Sequence, residues 1–128
     1  MRLKKFVLIA VFAFALLAVC GASAAYKEPR TYPQRDMSLA GTYVTGMTCS
    51  RLAINSGPGT RRFFDELGTY GRSGEYVRIY AKAWDPNNGI WWLKVEYPTG
   101  SGFTGWTGLK RFYASTFDLE KVPTEVWY

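Results

Sequence analysis

Over residues 75–84 polar and apolar positions alternate without a break. Tyr76, Arg78, Tyr80, Lys82 and Trp84 fall on one side, and Val77, Ile79, Ala81 and Ala83 on the other. A period of two over that length predicts a strand with one buried face. Asp85-Pro86-Asn87-Asn88-Gly89 predicts a turn, after which residues 90–97 form the next strand. There the alternation sets Trp91, Leu93, Val95 and Tyr97 against Trp92, Lys94 and Glu96. Trp91 is thereby expected in the core, and Trp92 on the face that meets solvent. A second turn at 98–102, a strand at 103–107 and a closing turn at 108–112 follow. Upstream, residues 43–48 and Leu52–Asn55 read as two further short strands. Between them and the rest, Ser56-Gly57-Pro58-Gly59-Thr60 joins a proline of fixed φ to two permissive glycines, which is turn chemistry. No long amphipathic helix follows residue 24.

The expected class is therefore all-β, with five or six short strands over residues 42–113. A small barrel is the expected arrangement, because closure hides the edges of so short a sheet. Residues 114–128 continue beyond it, and their apolar end, Val126-Trp127-Tyr128, is expected to pack on the barrel.

The first 24 residues have a different pattern. Arg2, Lys4 and Lys5 precede residues 6–19, which contain no polar side chain, and Ala22-Ser23-Ala24 fits a small-x-small cleavage site. These are the three parts of a secretory signal peptide, and the run is shorter than the roughly 20 apolar residues that span a bilayer. A secreted or cell-envelope location is expected, with cleavage near Ala24 and no membrane association afterwards. Leu17-Ala18-Val19-Cys20 offers the alternative of lipidation at Cys20, but such boxes prefer a small residue where Val19 stands. With Cys20 discarded, Cys49 is the one remaining cysteine, and no intrachain disulfide is possible. Residues 25–41, polar and carrying Pro29 and Pro33, read as a flexible linker.

Composition then narrows the chemistry. The chain has no histidine, which removes imidazole bases and imidazole-ligated zinc together. Cys49, a single thiol among Met47, Thr48 and Leu52, reads as a small buried hydrophobe rather than a nucleophile. Asp65 and Glu66 are adjacent rather than facing, unlike the opposed carboxyls that cleave glycosides. The chain is accordingly not expected to be an enzyme. Asp85, Asn87 and Asn88 lack a full calcium-loop pattern and read as turn residues, so no metal and no cofactor is expected. The formal charge of +6 includes Arg2, Lys4 and Lys5; without them 13 basic residues face 10 acidic ones, or +3. That is too little to suggest nucleic acid as a partner. The aromatic share of 17% is the composition's strongest feature.

Leu52-Ala53-Ile54-Asn55-Ser56-Gly57-Pro58-Gly59-Thr60 resembles the opening motif of bacterial Src-homology-3 domains. Trp91-Trp92-Leu93-Lys94-Val95-Glu96-Tyr97 resembles that family's tryptophan-tyrosine-lysine-valine strand, and Thr104-Gly105-Trp106-Thr107 its glycine-tryptophan-valine strand. The resemblance covers residues 41–112 and implies an SH3-like barrel. It also implies a non-catalytic module that recognises peptidoglycan, or an extended peptide, in an aromatic groove. Tyr70, Trp84, Trp92, Trp106 and Tyr113 are the candidate groove residues, with Arg61 and Arg62 as carboxylate partners. The alternative is a secreted structural domain that binds another secreted protein or its own copy.

Overall fold

A computed structural model of the chain describes residues 26–30 and 42–128. The expected signal peptide, Cys20 and most of the expected linker lie outside the described residues. Six strands form one antiparallel sheet: β1 (Val44–Met47), β2 (Leu52–Asn55), β3 (Glu66–Tyr70), β4 (Tyr76–Asp85), β5 (Ile90–Glu96) and β6 (Thr104–Gly108). Their order is β1-β4-β5-β6-β2-β3. The sheet is not closed, and β1 and β3 stand at its two edges. Three short 3-10 turns, Leu109–Arg111, Ala114–Thr116 and Leu119–Lys121, follow β6. A bridge between Thr48 and Phe112 ties the chain beyond β1 to the chain beyond β6.

Five of these strands lie where the residue pattern places them. β3 was not foreseen, and its composition explains why. It is an edge strand with exposed Leu67 and Tyr70 and a mid-strand glycine at positive φ (Gly68, +139°), so it shows no apolar alternation.

The apolar positions that alternation marks on β4, Val77, Ile79, Ala81 and Ala83, are all buried. The pairing with β5 slips by one residue between Ile79 and Ala81, so Ile79 faces Val95 while Ala81 faces Lys94. One extra residue in one strand bends a sheet and sharpens its twist. On either side of this bulge the sheet covers two separate clusters. Leu52, Ile54, Val77, Ile79, Leu93, Val95, Phe112 and Val122 form the larger one. Ala81, Ala83, Trp92 and Trp106 form the smaller one, with Trp127 packed against it.

β5 is therefore buried on both faces, and this corrects the assignment of its two tryptophans. Trp92 is only 8% exposed and belongs to the second cluster, so it is not a surface residue. Trp91 keeps the face of Leu93 and Val95 but lies beyond their cluster, half-buried against exposed Trp84 at a ring separation of 5.2 Å. The cause is the C-terminal segment, which covers the face carrying Trp92. Beyond the end of β1 it takes up the free edge of β4 in parallel. Lys82 N–H donates to Pro123 O at 2.8 Å, and Glu125 N–H donates to Lys82 O at 2.8 Å. Trp127 then meets Trp106 and Phe64 edge-on, each at 5.7 Å, and the Tyr128 hydroxyl donates to Pro58 O at 2.8 Å. Residues 26–30 lie alongside: Arg30 N–H donates to Trp127 O, and Lys27 and Asn87 exchange two bonds of 3.0 Å.

Candidate functional site: an aromatic groove beside an edge strand

A concave patch of apolar side chains lies between β3 and the β5–β6 connection. Leu67 and Tyr70 come from the edge strand, Tyr97, Pro98 and Phe103 from the connection, and Ile54 and Gly105 lie in the wall between them. The volume is about 330 Å³. Within it Leu67 is 45%, Tyr70 44% and Phe103 73% exposed, high values for side chains of their type.

Local chemistry holds each wall. Gly68 lets the Tyr70 ring fold back over the strand, where a Cβ would overlap the ring hydroxyl. That hydroxyl donates to Leu67 O at 2.8 Å. Tyr70 stacks on Tyr97 with centroids 6.3 Å apart and an interplanar angle of 29°. The Tyr97 hydroxyl donates to Glu75 Oε2 at 2.8 Å, and this bond, with burial, raises the Tyr97 pKa. The Tyr97–Pro98 peptide is cis.

The opposite wall hangs on one carboxylate. Glu96, 3% exposed, accepts the N–H groups of Gly100 and Gly102 at 3.0 Å each and lies 3.5 Å from Arg78. Both glycines have positive φ, +85° and +81°, which a side chain would strain. The Gly100 N–H, then the Gly102 N–H and Arg78, hold the Glu96 carboxyl below its usual range against the opposing effect of desolvation. The loop that presents Phe103 is thus anchored by a buried charge.

The residues singled out from the sequence are scattered. Tyr70 lines the groove. Trp84 is exposed at the far end of β4, and Tyr113 is exposed past the first 3-10 turn. Trp106 is wholly buried, so it is corrected, with Trp92, from groove residue to core. Arg61 lies 3.6 Å from Glu66, and Arg62 sits 4.0 Å over the Tyr26 ring. Leu67, Tyr97, Pro98 and Phe103 were missed. The one available signal was Phe103, a large apolar residue directly after the polar, glycine-bearing turn at 98–102.

The groove presents flat aromatic faces and little hydrogen-bonding capacity, next to a strand that among the described residues pairs with another strand on one side only, with its Leu67 and Thr69 carbonyls accepting from the Tyr70 and Arg51 side chains. Chemically it can hold an apolar or proline-bearing extended segment, and its side-chain polar groups are the hydroxyls of Tyr70, Tyr97 and Thr104. Among the described residues no cluster of His, Cys, Asp or Glu is placed to hold a metal ion, and no helix is long and apolar enough to cross a membrane. Comparison with protein-family models, with curated proteins and with solved structures gave no match.

Proposed function

We propose that this chain is an exported, non-catalytic binding module of SH3-like build that holds an extended peptide of the bacterial cell wall in the Tyr70–Phe103 groove. The observation that carries the reading is this apolar groove set beside β3, which among the described residues pairs with a strand on one side only. An extended peptide gains main-chain bonds from an unpaired strand edge and specificity from neighbouring pockets for alternate side chains. Tyrosine and phenylalanine supply contact area at little cost in side-chain entropy. The SH3-like reading draws support from the six antiparallel strands, from the 3-10 turn Leu109–Arg111 after β6, and from the motifs that fall on β2, β5 and β6. Export rests on the three-part N-terminal pattern.

The same edge favours a second reading, self-association through β3, since an exposed edge with apolar side chains is a template for another strand.

Co-sedimentation with purified peptidoglycan separates the two. Residues 25–128, which include every described residue, are expected to sediment with the wall material as a monomer. Tyr70→Ala and Phe103→Ala are expected to lose binding while keeping the circular dichroism of the parent. If both variants still sediment, the groove is not the site. A dimer that ignores the wall favours self-association instead.

A further inference from the structure

A second cavity, of about 340 Å³, lies on the other side of β2. Ile54 lines the groove and its neighbour Ala53 lines this cavity, as adjacent residues of a strand must point to opposite faces. One wall is apolar, made by Ile90 and an edge of Trp92. The other is cationic, made by Lys110 and Arg111. No acidic side chain lines it. Among the described residues neither Lys110 nor Arg111 is paired with a carboxylate.

Both walls are held in place. Asp85 Oδ2 accepts from Trp92 Nε1 at 3.0 Å and from Asn88 Nδ2 at 2.8 Å, which fixes the indole and the Asn88 carboxamide beside it. The backbone that carries the two cations is tied to Cys49: its N–H donates to Arg111 O at 2.8 Å and its thiol to Lys110 O at 3.2 Å. Gly108 completes the lining, and a Cβ there would meet only Lys110 Cγ, at 3.7 Å.

We propose that this cavity binds a small carboxylate whose carbon skeleton carries an apolar group, such as the C-terminal residue of a short peptide. Two cations without a carboxylate partner on one wall attract an anion, and a guanidinium with an ammonium beside it suits a carboxylate. Ile90 and Trp92 opposite them favour an anion with an apolar flank over a bare inorganic one. The site is independent of the groove, so its test does not depend on wall binding.

The test is a titration of residues 25–128, labelled with ¹⁵N, using N-acetyl-leucine, N-acetyl-leucinamide and inorganic phosphate. N-acetyl-leucine is expected to shift the Trp92 indole and the Gly108, Lys110 and Arg111 amides. For a ligand of this size the Kd should be on the order of 1 mM. The amide should leave these resonances in place, and phosphate should bind more weakly and leave the Trp92 indole in place. Lys110→Ala/Arg111→Ala should weaken binding by about tenfold or more. Gly108→Val, which narrows the cavity and keeps both cations, should weaken it, while Tyr70→Ala should leave it unchanged. Lys110 is exposed and Arg111 half-buried, so the double variant should retain the parent's dispersed spectrum. Equal shifts from the amide, or binding that survives the double variant, would overturn the proposal. Phosphate binding as tightly as N-acetyl-leucine would overturn the apolar half of it.

Discussion

The Trp92 indole N–H donates to Asp85 Oδ2 at 3.0 Å, joining the third residue of β5 to the last residue of β4 across their own turn. Asp85 is wholly buried, and its Oδ1 also accepts the backbone N–H groups of Asn87 and Asn88 at 2.9 and 3.2 Å. One side chain therefore shapes the turn and sets the tryptophan inward.

Asp85→Ala leaves these donors without their acceptor. A loss of about 3 kcal/mol of stability is expected, since a buried donor stripped of its partner costs about 1–3 kcal/mol. Urea denaturation followed by circular dichroism measures it; a change within about 0.5 kcal/mol, as at an ordinary surface position, would contradict the assignment.

The tryptophans should divide by burial. Trp106→Ala is expected to cost about 3–5 kcal/mol, the usual price of emptying a core aromatic site. Trp84→Ala, at a side chain 45% exposed, should cost about 1 kcal/mol or less. The same unfolding assay applied to both settles the order, and equal losses would refute it.

The C-terminal anchor is testable in the same way. Trp127→Ala removes the edge-on contacts with Trp106 and Phe64. A loss of about 2–3 kcal/mol should lower the melting temperature by roughly 10 °C or more in a domain of this size. An unchanged melting temperature would mean that the segment contributes nothing to the second cluster.

Gly105 forms part of the groove wall, and a Cβ on it would overlap Ile54 Cγ2. Gly105→Ala should therefore destabilise by about 1–3 kcal/mol, as overpacking does. The shifts it causes in the ¹⁵N spectrum should centre on Ile54, Leu67 and Tyr70. Shifts confined to the far end of β4 would not fit.

Glu96 gives a pH dependence with a definite sign. Its folded-state pKa is lowered, so the stabilisation is complete above the unfolded value, about 4.3 for Glu. It is lost as pH falls through the depressed folded value. Glu96→Gln should be less stable than the parent at pH 7, and its stability should fall less between about pH 5 and pH 3. Parallel stability curves for the two proteins would show that Glu96 is not the group responsible.

The sequence by itself determined the strands whose apolar positions alternate with polar ones. In β4 a run of four small or branched apolar residues alternates with long polar and aromatic ones, and those four are the buried ones, although the bulge that divides them between two clusters leaves no mark in the pattern. The turn at 85–89 and the glycine-bearing turn at 98–102 were legible for the same local reason: their residues favour backbone conformations that end strands. Tertiary structure decided what alternation cannot state. Residues on one face of β5 read alike whether that face meets water or another segment, and it is Trp127, more than thirty residues away, that covers Trp92. β3 has no buried face of its own, so its existence depends on pairing with β2, and the groove exists only because that pairing sets Tyr70 against Tyr97. A period along the chain reports which residues share a face; what lies against that face is set by contacts between residues far apart in sequence.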